Sequence, residues 1–213
     1  MKTLNEILLN VEKPSRYIGG EYGEGNLQWD KFNYCICFPD IYEVAMSNLG
    51  IKIVEDTMKK VDGVNVDRCF AVGKDFGTAL KENNIPLYSL GLKKPLKDFD
   101  MIGFSLSYEM SYTTVLYMLD LAGIPLTVEE RKGGNWSIIQ AGGVCVCNPE
   151  PLSDFIDIFT IGDGEDCMHD LAKLALETKS REEFLRRASE EIQGVYVPEF
   201  MTVNYNDDGT IRS

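Results

Sequence analysis

Five short apolar runs recur along the chain, each bounded by turn-forming or charged residues. Runs of about four to eight residues have the length of buried strands rather than of helices. A further short run at residues 87–90 predicts an additional short strand after a helix. The five principal strands are predicted at residues 33–38, 64–70, 101–105, 137–141 and 155–161.

Helical periodicity fills the segments between these runs. Strands that alternate with helices predict a parallel sheet covered on both faces, and right-handed crossovers make the sheet doubly wound. We therefore expect an α/β fold with a mostly parallel, five-stranded sheet of the Rossmann or flavodoxin-like type. The helices are predicted at residues 1–11, at 47–60 with Leu49, Ile53, Val54 and Met58 as the apolar stripe, at 109–122 with a Gly123 cap and a Pro125 stop, after residue 165, and at 181–192.

Three segments are expected. Residues 1–32 hold the N-terminal helix and a glycine-rich connector, residues 33–178 form the α/β domain, and residues 179–213 hold a linker helix and a hairpin. The hairpin turn is Asn206-Asp-Asp-Gly209, whose residue types are typical of tight turns. Such an ending predicts either a short two-stranded appendage or a polypeptide that continues past Ser213, and we favour the second.

The net charge of the chain excludes some classes of function. The 213 residues include 21 Lys and Arg against 34 Asp and Glu, a net charge of −13. Non-specific nucleic-acid binding relies on cations that contact phosphates, so we expect no nucleic-acid partner. An anionic membrane surface is disfavoured for the same reason. No apolar run reaches the roughly 18 residues of a membrane span, and residues 1–10 lack the core of a signal peptide. We therefore expect a cytoplasmic protein without a membrane partner.

In doubly wound folds the ligand binds at the carboxyl ends of the strands, near the point where strand order reverses. The loops that leave the predicted strands there are residues 39–48, 105–109, 142–151 and 162–165. They are rich in Gly, Ser, Asn, Asp and Tyr, which approach or hydrogen-bond a polar ligand. Residues 162–165 also form a strand-to-helix junction whose acidic side chains favour a helix N-terminus, and Ser47 is expected to cap the helix that follows it.

Other glycines and cysteines have plainer interpretations. The connector at residues 16–25 is a loop rather than a phosphate cradle, because no strand precedes it and no Lys-Ser/Thr pair follows. Cys35 and Cys37 alternate onto one face of a strand and are expected in the core. A zinc site shared with Cys145 and Cys147 would require adjacent strands, and loop or core positions are favoured for that pair. The only histidine, His169, is expected to be an ordinary helix residue.

The residues at the ends of the predicted strands exclude several classes of protein. A phosphoreceiver domain needs an aspartate where Ser105 stands, and a flavodoxin needs a Ser/Thr-rich loop where residues 39–42 stand. A stand-alone hydrolase would need a nucleophile and a base to organise the edge carboxylates, and the sequence shows no such constellation. Those carboxylates are Asp40, Glu43, Glu109, Glu150, Asp163 and Glu165.

A series of segments in fixed order carries a resemblance that covers most of the chain. The segments are Phe38-Pro-Asp-Ile-Tyr-Glu-Val44 with Ser47-Asn-Leu-Gly50, Asp100-Met-Ile-Gly-Phe-Ser105 with Tyr108-Glu109, Leu119-Asp-Leu-Ala-Gly-Ile-Pro125, Ala141-Gly-Gly143 with Asn148-Pro-Glu-Pro151, and Ile161-Gly-Asp-Gly-Glu165. In this order they resemble the N-terminal region of a family of large bacterial proteins in which a cobalamin-binding-like domain precedes a radical S-adenosylmethionine domain.

The resemblance implies cobalamin as a cofactor, but without a histidine lower ligand. Classical cobalamin domains have an Asp-x-His-x-x-Gly loop after the first strand. The corresponding positions here are Asp40, Tyr42 and Ala45, so Tyr42 stands in place of the histidine that ligates cobalt. A neutral phenol is a poor ligand beside imidazole. The cofactor-binding residues that the resemblance implies are Pro39, Asp40, Tyr42, Glu43, Ser47, Asn48, Ser105, Tyr108, Gly142, Gly143, Asn148, Gly162, Gly164 and Glu165.

The iron–sulfur half of the resemblance falls outside this chain. The six cysteines never form the Cys-x-x-x-Cys-x-x-Cys spacing of a radical S-adenosylmethionine site. The resemblance therefore implies that the 4Fe-4S cluster and S-adenosylmethionine belong to a further domain after Ser213, with that domain and a small-molecule cofactor or substrate as partners. This chain alone is then not expected to be an enzyme. The alternative is a non-catalytic interaction or regulatory module with a degenerate cofactor site.

Overall fold

The computed structural model describes residues 2–21 and 27–212. In this part of the chain one sheet has the strand order β2-β1-β3-β4-β5-β6. The first five strands pair in parallel, and β6 is antiparallel to β5. The five parallel strands of the predicted fold are therefore confirmed. The strands are β1 (Phe32–Phe38), β2 (Val64–Phe70), β3 (Met101–Ser105), β4 (Ile138–Gly142), β5 (Ile158–Thr160) and β6 (Val195–Tyr196).

Helices cover both faces of the sheet, which confirms the doubly wound architecture. Helices α3, α7 and α8 contribute buried side chains to one core layer, and α1, α4 and α5 contribute to the other. No helix among residues 2–21 and 27–212 is long and apolar enough to cross a membrane. The helices are α1 (Leu4–Leu8), α2 (Tyr42–Ser47), α3 (Leu49–Lys59), α4 (Lys74–Glu82), α5 (Tyr112–Ala122), α6 (Val128–Arg131), α7 (Gly164–Glu177) and α8 (Arg181–Glu191).

The central strand β1 contributes side chains to both core layers. Successive side chains of a strand point to opposite faces, so Tyr34 and Ile36 join the layer under α3 and α7. Cys35 and Cys37 join the layer under α4 and α5. All seven residues of β1 are buried, as expected for the interior of a parallel sheet.

Strand order reverses beside β1. The chain first places β2 on one side of β1 and then returns to place β3 on the other side. The carboxyl ends of β1 and β3 therefore form the switch point at which doubly wound folds bind their ligands.

Some element predictions were wrong. Residues 87–90 do not form a strand; Tyr88 makes only an isolated bridge to Pro95. The two-residue strand β6 was not predicted, because it is too short to show alternation. In the predicted hairpin, Tyr205 and Ile211 form one isolated bridge around a turn in which Gly209 has a φ of 82°.

The helix predicted at residues 47–60 is α3, and a separate helix that was not predicted, α2, precedes it and ends at Ser47. The Asn48 side chain accepts a hydrogen bond from the Ile51 amide and so caps α3, whereas the Ser47 hydroxyl donates to the Val44 carbonyl. Asn48, not the predicted Ser47, is therefore the cap. The predicted stripe was also partly wrong, since Leu49 is 68% exposed.

Two predicted helix boundaries are confirmed by the structure. Helix α5 ends at Gly123, whose φ of 68° lies in the left-handed region. This conformation suits a glycine that closes a helix. Helix α7 begins at Gly164 and carries Glu165 and Asp166 in its first turn, where negative charge complements the helix dipole.

Candidate functional site

A cavity of about 180 Å³ opens at the switch point, between α3 and α7 and over the carboxyl halves of β1, β3 and β4. We call it the switch-point cavity. Glycines form much of its lining. Because a glycine has no side chain, each one leaves the space above the sheet open. The glycines that line it are Gly50, Gly103, Gly142, Gly143, Gly162 and Gly164.

The floor of this cavity is a buried row of polar side chains. The Tyr34 hydroxyl donates to Gln140 Oε1 at 2.9 Å, and Gln140 Nε2 donates to Thr160 Oγ1 at 2.8 Å. The row thus runs from β1 across β3 and β4 to β5. Buried polar groups with satisfied hydrogen bonds hold fixed positions, so the floor is rigid and chemically specific.

Gly103 on β3 makes this row possible. A Cβ atom at that position would lie 1.7 Å from the Tyr34 hydroxyl and 2.3 Å from Gln140 Oε1. Any side chain larger than hydrogen would therefore collide with the row.

The loop after β4 is held close to the loop after β3. Gly143 has a φ of 104°, and a Cβ there would lie 2.6 Å from the Leu106 carbonyl oxygen. The Leu106 amide donates to the Gly142 carbonyl at 2.7 Å. The two glycines therefore let two backbone segments form one rim of the cavity.

The walls are apolar and come from the two flanking helices. Ile53 and Val54 on α3 face Met168 on α7 across the opening. A Cβ built on Gly164 would make ordinary contact with Val54, at 3.5 Å, and with Met168, at 3.9 Å. The first residue of α7 therefore points toward the space between the helices. Glu165 is the acidic side chain of the lining.

A second polar pair joins the loops after β1 and β3. The Tyr108 hydroxyl donates to Asp40 Oδ2 at 2.5 Å, and the other carboxylate oxygen of Asp40 accepts from the Ile41 amide. The hydrogen bond to Asp40 raises the pKa of Tyr108. The pair bridges the two strand ends at the switch point but does not line the cavity.

Tyr42 is directed away from the cavity. Its hydroxyl donates to the Glu21 carboxylate, and its ring meets Phe70 edge-on with centroids 5.9 Å apart. The neighbouring Glu43 binds Arg16 at 2.8 Å, and that guanidinium lowers the pKa of Glu43 to about 2. Both side chains thus fasten the N-terminal segment to α2.

The structure therefore divides the predicted site residues into two groups. Those that line the cavity are Ser105, Gly142, Gly143, Gly162, Gly164 and Glu165. Those that lie outside its lining are Pro39, Asp40, Tyr42, Glu43, Ser47, Asn48, Tyr108 and Asn148.

Sequence reasoning missed the floor. Tyr34, Gln140 and Thr160 each lie in a run that predicts a strand, and Gly103 was noticed only as part of a motif. The available signal was a polar residue within an apolar strand, such as Gln140 in Ile-Ile-Gln-Ala. Such a residue requires a hydrogen-bonding partner when it is buried.

The cysteines do not form a metal-binding arrangement. Cys35, Cys37 and Cys69 are buried together in the layer opposite the cavity, which confirms the core interpretation of the first two. Burial raises the pKa of Cys35 to about 12. Among residues 2–21 and 27–212 no group of three or more metal-ligating side chains converges. His169 lies beside Asp170 on α7 and does not line the cavity.

Comparison with known proteins gives the family. A model of the family described as "Radical SAM proteins, N-terminal" matches residues 50–198, well over half of the chain. An uncharacterized protein of Methanocaldococcus jannaschii is 24% identical over 139 residues, which are 64% of this chain and 25% of that protein. The match thus spans only a quarter of the relative. On the strength of the family match, this chain belongs to the N-terminal regions of radical SAM proteins.

Proposed function

We propose that this chain is the ligand-holding N-terminal module of a radical SAM protein and that its ligand is a corrinoid such as cobalamin. The observation that carries the proposal is the switch-point cavity, with its polar floor, apolar walls and glycine rim. A bound corrinoid supplies methyl-transfer or electron-transfer chemistry at cobalt. The residues of this chain would position the ligand.

The size of the cavity indicates which part of the ligand it holds. Pockets that enclose a whole drug-sized ligand measure roughly 300–1,000 Å³, whereas this cavity measures about 180 Å³. It therefore suits a flat end group of a larger molecule. Cobalamin carries a bicyclic aromatic base on a flexible tail. Ile53, Val54 and Met168 would contact the faces of such a ring, and Thr160 on the floor offers a polar group to its edge.

The residues that surround the cavity supply no imidazole for cobalt. Tyr42 is bound to Glu21, and His169 lies outside the lining. In this proposal the corrinoid binds through its tail and through contacts to the rim, without a histidine lower ligand. Asp40 and Tyr108, which bridge the strand ends beside the cavity, would offer polar groups to the part of the corrinoid that extends beyond it.

The proposed partner is the radical SAM domain of the same protein. Exposed apolar side chains surround the cavity on the loops and helix ends of the carboxyl edge, and we call them the apolar collar. Contiguous exposed apolar surface marks interaction sites on soluble domains. Met110 is 85% exposed and Val144 is 73% exposed. The collar consists of Val44, Leu49, Ile53, Tyr108, Met110, Val144 and Ile161.

The radical chemistry is assigned to that partner domain. Three of the six thiols here are buried side by side in the core, and burial raises their pKa values and favours the protonated form. An iron–sulfur cluster is held by converging cysteine thiolates, and no such group converges among residues 2–21 and 27–212. The cysteines of this chain therefore do not fit the cluster.

Hydroxocobalamin titration of the purified chain tests the proposal, followed through the visible spectrum and the melting temperature. We expect a saturable spectral change and a rise in melting temperature, because a ligand that binds only the folded state stabilises it. Gly164→Phe should fill the space between Val54 and Met168 and abolish both effects. Lys74→Phe is the matched control, since Lys74 is the exposed first residue of α4.

A lack of spectral and thermal change at high micromolar ligand would overturn the corrinoid assignment. The apolar collar would then favour the second candidate, an interaction module that has kept the fold and lost the cofactor. Binding that survives Gly164→Phe would show that the ligand lies outside the switch-point cavity.

A further inference from the structure

A second and larger cavity, of about 740 Å³, lies at the opposite edge of the sheet. It is formed where β1, β3 and β4 begin and where α7 passes into α8. We call it the amino-edge cavity. Its lining includes Trp29 and Trp136, which are the two tryptophans of the sequence. Neither the fold nor the proposed corrinoid site requires such a surface here.

The amino-edge cavity collects positive charge in an acidic protein. Lys31, Lys94, Lys97 and Lys179 line it, and none of their ammonium groups forms an ion pair within residues 2–21 and 27–212. The net charge of the whole chain is −13. Uncompensated cations gathered in a concave surface attract an anion more strongly than scattered ones do.

Arg181, the first residue of α8, also lines the cavity. Its guanidinium is already paired with a carboxylate, because its Nη2 lies 2.6 Å from Asp157 Oδ1. Two carboxylates also line the cavity, Asp98 and Asp100. Asp100 is already bound to the amide and side chain of Asn33. The balance of the lining is therefore positive.

The aromatic side chains provide a second kind of contact. Trp29 is 43% exposed, and its ring is held edge-on against Phe99 with centroids 5.1 Å apart. The Lys94 ammonium lies 5.4 Å from the Trp29 ring centroid. A planar ring that stacks on this indole would thus place an attached anion beside a lysine.

We propose that the amino-edge cavity binds a nucleoside phosphate, with the base on Trp29 or Trp136 and the phosphates on the lysines. The volume lies within the roughly 300–1,000 Å³ of small-molecule pockets. Bases stack favourably on aromatic side chains whatever their sequence. A long nucleic acid is disfavoured because its phosphates would extend beyond the cavity over a protein with a net charge of −13. The site is independent of the proposed corrinoid site.

Intrinsic fluorescence gives a direct test, because both tryptophans line the cavity. We titrate the chain with ATP, adenosine and inorganic triphosphate at low salt and follow tryptophan emission, with calorimetry as a second measurement. ATP is expected to quench the emission saturably and to bind more tightly than either fragment. Lys94→Gln with Lys97→Gln should weaken ATP binding at least about tenfold, the effect of losing one charge-assisted hydrogen bond.

The control variant is Lys52→Gln with Lys74→Gln, which changes the net charge equally at two exposed lysines outside the cavity. It should bind ATP as the unmodified chain does. Trp29→Phe and Trp136→Phe, made separately, identify the stacking ring by calorimetry. Three results would each overturn the proposal. These are a loss of ATP affinity in the control variant as large as in the Lys94 and Lys97 variant, binding of inorganic triphosphate as tight as that of ATP, and no binding of ATP by the unmodified chain. Tighter binding of a single-stranded RNA oligonucleotide would also overturn it.

Discussion

The hydroxyl of Tyr34 on β1 donates to the side-chain oxygen of Gln140 on β4, although another strand lies between them. The intervening residue is Gly103 on β3, which pairs with Gln140 in the sheet register. The two side chains meet above a strand that has no side chain at that point. This contact fixes β1, β3 and β4 relative to one another at the base of the switch-point cavity.

Gly103→Ala should destabilise the fold by about 1–3 kcal/mol, the usual cost of adding volume to a packed core. The new methyl group would lie where the Tyr34 hydroxyl now lies, so the hydrogen bond to Gln140 must break. Urea unfolding of the single variants and of Gly103→Ala combined with Tyr34→Phe measures the coupling. Gly103→Ala should reduce the unfolding free energy less when the Tyr34 hydroxyl is absent than when it is present. If the losses of the two single variants simply add in the double variant, the two groups do not collide.

Asp157 should be one of the most sensitive positions in the protein. Its carboxylate accepts from the buried Arg131 guanidinium at 3.0 Å and from the Ile139 amide at 2.7 Å. Asp157→Ala would leave a buried charge without its partner, which costs about 3–5 kcal/mol. Chemical denaturation measures the loss of unfolding free energy.

The exposed ion pair between Lys81 and Asp120 is the control for this prediction. Asp120→Ala should cost no more than about 1 kcal/mol, because solvent screens an exposed pair. Arg131→Met combined with Asp157→Leu should cost less than Asp157→Ala, since it removes the fully buried pair and leaves only the partly exposed Arg181 without its carboxylate. If the double variant is the less stable one, the unpaired charge is not the reason for the loss.

The sequence predicted the parallel strands well because burial on both faces leaves near-continuous apolar runs. It could not predict the polar floor, because Tyr34 and Gln140 lie 106 residues apart in the chain. Their contact depends on the strand order and on the register of β3 between them. A sequence without pairing information specifies neither.

The apolar stripe of α3 shows a second limit of the sequence. Leu49 and Ile53 have helical spacing, but they belong to the exposed collar, while Ile51 and Met58 are buried against the sheet. Periodicity shows that a helix has apolar positions without showing which face meets the core. Apolar residues at a binding edge and apolar residues in a core look alike in the sequence. Tyr42 was assigned to the site for a different reason, because the resemblance places it where the cobalt-ligating histidine would stand, and its ring packs on Phe70.

Thiol labelling should separate Cys147 from the buried cysteines. Cys147 is exposed and Cys145 is partly exposed, on the turn after the Gly-Gly rim. Burial raises the pKa of Cys167 to about 11 and that of Cys35 to about 12, and only thiolates react rapidly. An aromatic disulfide reagent should therefore modify Cys147 first in the native chain, followed more slowly by Cys145.

Cys147→Ser provides the check on this assignment. It should remove the fast phase of labelling and leave the slower reaction of Cys145 in place. The remaining thiols should react only after denaturant is added. Rapid labelling of the Cys147→Ser variant at more than one further site in native buffer would contradict the buried positions of the core thiols.

The contact between Glu43 and Arg16 should make part of the stability depend on pH. Arg16 lowers the pKa of the Glu43 carboxyl from 4.5 to about 2 in the folded chain. Because the folded value is the lower one, the contribution is fully present above pH 4.5 and is lost as the pH falls toward 2. Unfolding free energies measured between neutral pH and pH 3 should therefore decline less steeply for Glu43→Gln than for the unmodified chain. High salt should reduce the difference, because this exposed pair is screened by ions. Identical slopes for the two proteins at low salt would show that the contact does not hold the N-terminal segment on α2.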